Sequence, residues 1–143
     1  MTEINFHHGA TDPLAYACRL LLKAQQRGSR VAVIAPQEQL ARLDETLWAF
    51  EPLAFVAHAR LRADQPVPSR LAITPIWLLD RTADAPHHEV LVNLGCDVAS
   101  GFESFERLFE IVGSGADERE AGRRRWRQYE SRGYAIEQHE VRT

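Results

Sequence analysis

Between Asp117 and Arg132 the chain reads DEREAGRRRWRQYESR, with arginines at 119, 123, 124, 125, 127 and 132 against four acids. Guanidinium forks pair with carboxylates, and an indole beside them can bury an apolar group. At roughly 100° per residue, a helix gathers Arg119, Arg123 and Arg127 within about an 80° arc, with Trp126 beside Arg119. Tyr129 leans toward the opposite edge of that arc. Such a cationic ridge with an aromatic wall suits a ligand that is both acidic and apolar. A plainer reading is a solvated helix with one tryptophan packed inward. A third reading binds single-stranded nucleic acid directly through Arg123-Arg124-Arg125-Trp126-Arg127, with cations on phosphate and the ring on a base. Around a helix, however, Arg124 and Arg125 diverge from Arg123 and Arg127, and Glu118, Glu120 and Glu130 dilute the charge.

Other reactive residue types are present without the spacing that chemistry needs. His7-His8 and His87-His88 are adjacent pairs. Neighbours on a strand point to opposite faces, so neither pair chelates one metal, and no zinc-ligand spacing occurs. Cys18 and Cys96 lie far apart and outside any CxxC pair, which fits free cytosolic thiols. No GxSxG is present, and Asp44-Glu45 falls opposite an apolar helical stripe. After RVAVIA the chain runs PQEQLARLDE with no glycine, and after EVLVNL it runs GCDVASG, neither a phosphate loop nor a dinucleotide fingerprint. No catalytic residue, metal, cofactor or nucleotide is therefore expected. A small α/β enzyme would need a pocket of convergent polar groups, which no motif announces.

The elements that must position these groups follow from pattern. Residues 3–8 alternate as a first strand, and Thr11-Asp12-Pro13 opens a helix through Gln26 that Gly28 closes. Arg30 to Ala35 is a short β-branched run suited to a strand buried on both faces. Pro36 starts a second helix through Trp48. Ala54 to Ala57 reads as a strand and residues 59–70 as a loop. Leu71 to Leu79 contains Pro75, so a strand there is short or at an edge. Glu89 to Leu94 is a second buried strand, and Phe102 to Val112 reads as a helix through Phe102, Phe105, Leu108 and Phe109. Gly113-Ser114-Gly115 separates that segment from the arginine helix, and Tyr134 to Val141 alternates as a last strand. The expected fold is α/β: one domain over residues 1–143, with a mostly parallel sheet covered by helices on both faces.

Composition agrees. The 143 residues carry a net charge of −3, with 45% apolar and 26% charged residues, ordinary for one globular domain. That acidity excludes a protein coating nucleic acid over its whole surface, so any basic site is local. The first residues lack a basic and then apolar leader, and no apolar run approaches the ~18 residues of a membrane span. A cytoplasmic chain with no membrane partner is expected.

Taken in order, ACRLLLKAQQRGSRVAVI, LDETLW, AFVAH, EVLVNL, FERLFEIV and GRRRWRQYESRGYAIEQHEV resemble the chi subunit family of bacterial DNA polymerase III holoenzyme over nearly the whole chain. The resemblance implies a Rossmann-like α/β domain without a nucleotide-binding loop, serving as a non-enzymatic accessory protein of the clamp loader. It implies two partners: the acidic, Pro-Phe-ending C-terminal tail of single-stranded-DNA-binding protein, and the psi subunit. By position, Arg119, Arg123 and Arg127 would be the cations of the tail site. Trp126 stands where the family usually has Tyr or Phe, and Val112 would be an apolar wall. The psi-binding patch would comprise Trp48, Phe55, Val56 and His58. Here AFVAH departs from the family's Phe-Val-Pro-His, with Ala57 in the proline's place.

Overall fold

A computed structural model describes residues 1–49, 56–63, 66 and 74–141. Among the described residues the strands and α-helices follow in the order β1 (Glu3–Ala10), α1 (Pro13–Gln26), β2 (Val31–Ile34), α2 (Gln37–Ala49), β3 (His58–Leu61), β4 (Ile76–Leu79), β5 (Val90–Asn93), β6 (Arg107–Gly113), α3 (Ala116–Ser131) and β7 (Ile136–Glu140). The strands form one seven-stranded sheet in the order β3-β4-β2-β5-β6-β1-β7, and every pairing is parallel. The fold class is α/β, with the sheet entirely rather than mostly parallel.

Period-two alternation divides the core between the two faces. Val31, Val33, Ile76, Leu78, Val90 and Val92 pack with Ala17, Cys18 and Leu21 of α1 and with Leu40, Leu43 and Leu47 of α2. Ala32, Ile34, Trp77, Leu79, Leu91 and Leu108 face the other way, toward Tyr129 of α3 and the short 3-10 turn Phe102–Ser104. α1 begins at Pro13, with the Asp12 carboxylate accepting from the Ala15 amide at 3.1 Å. α3 ends in a Schellman turn. The amide of Gly133, at φ 86°, donates to the Glu130 carbonyl at 3.0 Å, and that of Tyr134 to Tyr129 at 3.2 Å. This reversal sends the chain directly into β7, on the outer edge beside β1.

Two expectations are corrected. Phe102 to Val112 is not a helix: after the 3-10 turn it becomes β6, paired with β1 on one side and β5 on the other. The spacing of Phe102, Phe105, Leu108 and Phe109 imitates a helical stripe. What wins is the alternation of Leu108, Glu110 and Val112 against Phe109 and Ile111, obscured because one inward residue is a glutamate. The third strand is also displaced. Val56 and Ala57 lie outside any strand, residues 54–55 lie outside the described residues, and β3 starts at His58 and runs on into the stretch whose sequence reads as a loop. β4 is short and sits inside the sheet, between β3 and β2. Pro75 precedes it, and the Pro75 carbonyl accepts from the Val31 amide at 2.8 Å.

Candidate functional site

α3 is held against the sheet by a polar anchor. Gly122, Arg125 and Tyr129 are its buried residues. The Arg125 Nε donates to Glu110 Oε1 at 2.7 Å, the Tyr129 hydroxyl donates to Oε2 at 2.5 Å, and Asn93 Nδ2 donates to Oε2 at 3.0 Å. Burial pushes the Glu110 carboxyl upward, while the Arg125 guanidinium and the hydroxyl and amide donors pull it back. Burial and the adjoining Glu110 carboxyl also push the Tyr129 hydroxyl up, which keeps it a donor. One arginine of the run therefore serves the fold. Arg124 is exposed and lies 4.0 Å from Glu120 one turn earlier. Arg125 and Arg124 thus leave the four-arginine run dispersed around the helix rather than gathered into one basic face.

Arg119, Arg123 and Arg127 are exposed, and Trp126 is half-buried. The indole meets Phe6 of β1 edge-on, with centroids 5.0 Å apart and planes at 62°, and its N–H points at Glu130 Oε2 across 3.4 Å. Beside it lies a groove of about 320 Å³, lined by Phe6, His8, Val112, Arg119, Gly122, Arg123, Trp126 and Gln138. The structure brings four of the five expected residues together there: Arg119, Arg123, Trp126 and Val112. Arg127, one turn beyond Arg123, does not line it.

The floor exists because Gly122 has no side chain. A Cβ there would come within 2.9 Å and 3.1 Å of the Val112 methyls, so α3 lies directly on β6 at this point. Phe6, His8, Gly122 and Gln138 are residues that sequence reasoning missed. Phe6 and His8 share one face of β1 by simple alternation, and Gln138 pairs with Phe6 across the β1–β7 ladder. The alternation was legible, but which helix covers that face depends on pairings more than a hundred residues apart.

Two larger hollows have a different character. One of about 610 Å³ at the start of the sheet includes Glu3, Glu89, Glu103 and Glu106 in its lining. The other, about 420 Å³ at the carboxyl ends of the strands, is where a sheet of this kind would hold a nucleotide. Asp12 and Glu118 contribute carboxylates there, Pro13 and Pro36 stand where helices begin, and Arg42 is its exposed cation. Among the described residues no group of three or more His, Cys, Asp or Glu could hold a metal ion, and no helix is long and apolar enough to cross a membrane.

On the far side of the molecule Trp48 is 62% exposed at the end of α2, and its ring lies 4.9 Å from that of His58. His58 Nε2 approaches Asp44 Oδ1 at 2.8 Å and Nδ1 approaches the Val56 carbonyl at 2.8 Å. Val56 is buried, and Phe55 lies outside the described residues.

The model of the family described as DNA polymerase III chi subunit, HolC, matches residues 1–137. DNA polymerase III subunit chi of Pseudomonas aeruginosa is 30% identical over 148 residues, spanning 99% of this chain and 98% of that protein. Among solved structures, the C-terminal domain of the DEAD-box protein Dbp5 aligns with a TM-score of 0.63 at 8% identity, over 98% of this chain and 90% of that one. The same domain from S. cerevisiae, bound to Gle1 and IP6, gives 0.59 at 9% identity. At such identities the likeness concerns the α/β fold alone. The chain belongs to the DNA polymerase III chi subunit family.

Proposed function

We propose that this chain is a non-catalytic, cytoplasmic adaptor of the DNA polymerase III clamp loader. Its α3 groove receives the acidic C-terminal tail of single-stranded-DNA-binding protein. The observation that carries the reading is the apolar recess walled by Trp126 and floored by Phe6, Val112 and Gly122, with Arg119 and Arg123 beside it. An aromatic terminal residue enters the recess, and its α-carboxylate and the preceding aspartates meet the guanidinium groups. Charge at an exposed rim makes the contact modest and sensitive to salt. The second partner, psi, docks on the face around Trp48, where an exposed indole set at a tilt against a hydrogen-bonded imidazole offers an apolar anchor.

The test is a titration with a short peptide ending Asp-Ile-Pro-Phe, alongside a single-stranded oligonucleotide at physiological salt. Saturable peptide binding that weakens in Arg123→Ala supports the adaptor. Oligonucleotide binding equal to peptide binding would favour a nucleic-acid module instead. The dispersal of Arg124 and Arg125 argues against that outcome.

A further inference from the structure

We propose that His8 is a ligand-contacting residue of the α3 groove, a titratable cation that strengthens the hold on an acidic peptide terminus as pH falls. The proposal rests on the tail-binding reading of that groove. Its basis is position: His8 lines the recess together with Arg119, Arg123 and Trp126, on the wall opposite the helix.

The strand is built to present it. β1 follows the β6 register from Glu3 through His7 and resumes at Ala10, so His8 and Gly9 form an irregularity, with Gly9 at φ 78°. Bulges of this kind re-aim a side chain beside a functional site. On the other side His8 stays in register with Glu140 of β7, and its carbonyl accepts from the Val141 amide at 2.8 Å. The backbone of this half-buried residue is thus held beside the groove.

Among the described residues, the charged groups nearest it come from two elements. From α3 come Arg119 and Arg123, and from β7 comes Glu140, its register partner. β6 contributes Val112, which carries no charge. His7 and His139 pair with each other in register and so lie on the opposite face of the sheet. Protonated, His8 adds a cationic donor to a carboxylate ligand. Neutral, it adds no charge to that contact. An acidic peptide with a capped N-terminus keeps its carboxylates ionised through this range, so any pH slope comes from the protein.

The experiment measures the Kd of that peptide from about pH 8 to about pH 6, where imidazoles change charge, with circular dichroism at each pH to show the fold is retained. The wild type should tighten by about two- to fivefold, the scale of one charge pair at an exposed rim. His8→Gln should lose that slope, His8→Lys should bind tightly at both ends of the range, and His139→Gln should keep the slope. Affinity independent of pH in the wild type, or a slope surviving in His8→Gln, overturns the assignment while leaving the groove's function standing. No peptide binding at either pH overturns both.

Discussion

Four arginines stand within five residues of α3, yet the molecule uses them in different ways. Arg125 belongs to the interior, where it and Glu110 are 5% and 0% exposed in their side chains. Removing one member of a buried pair leaves the other charge uncompensated, which costs about 3–5 kcal/mol. Arg125→Ala should therefore lower the unfolding free energy by that amount in urea titration, and adding Glu110→Gln should recover part of it. Equal stability for wild type and Arg125→Ala would mean the pair is not formed. Arg123 faces the groove and should show the reverse signature. Arg123→Ala is expected to leave stability within about 0.5 kcal/mol of wild type. It should also weaken the peptide by about 1–2 kcal/mol, the scale of a charge-assisted hydrogen bond. Arg127→Ala lies off the groove and should weaken the peptide by less than about 0.5 kcal/mol. If calorimetry ranks Arg127 with Arg123, the tail follows the helix rather than the recess.

Among the elements, α3 is the one whose character could be read directly from sequence. Its acids in the first turn, its terminal glycine at 133 and its charge pattern all lie within seventeen residues. β6 was not legible, because the inward Glu110 is stabilised by Arg125 and Tyr129, fifteen and nineteen residues later, and by Asn93, seventeen earlier. The groove shares that fate: the helix wall could be placed from spacing, whereas the β1 and β7 wall required the strand order. Where α3 meets β6, Gly122 decides the distance between them. Alanine at 122 would gain about 1 kcal/mol of helix propensity but collide with the Val112 methyls. Overpacking of that kind costs about 1–3 kcal/mol, so Gly122→Ala should be net destabilising by up to about 2 kcal/mol. It should also weaken the peptide, since the new methyl enters the recess. A variant that melts higher and binds equally well would show that α3 can lift without consequence.

Across the whole molecule, the sheet face opposite α3 carries a pH-sensitive seam. His7 of β1 stands between β7, β6 and α1: its ring lies 5.0 Å from that of His139, 5.3 Å from Phe109 and 5.6 Å from Tyr16. His7 Nδ1 and the Tyr16 hydroxyl share a hydrogen bond, and burial raises the Tyr16 hydroxyl, so it donates and the imidazole accepts. Burial first, then the neighbouring His139 and His8, holds His7 down to about 4 from the ordinary 6.5. The folded chain thus keeps this ring neutral where the unfolded chain would protonate it. Stability from this group is full above about pH 6.5 and is lost progressively as pH falls toward about 4. The full linkage would be about 3 kcal/mol, and solvent screening of a half-open ring reduces it to about 1–2 kcal/mol. Urea midpoints for wild type and His7→Phe, taken between about pH 7.5 and about pH 4.5, isolate it from the acid dependence both proteins share. The phenylalanine variant should lose less stability on acidification. Parallel curves would mean that His7 protonates freely in the folded sheet, and that β7 is not held to β1 through a neutral imidazole.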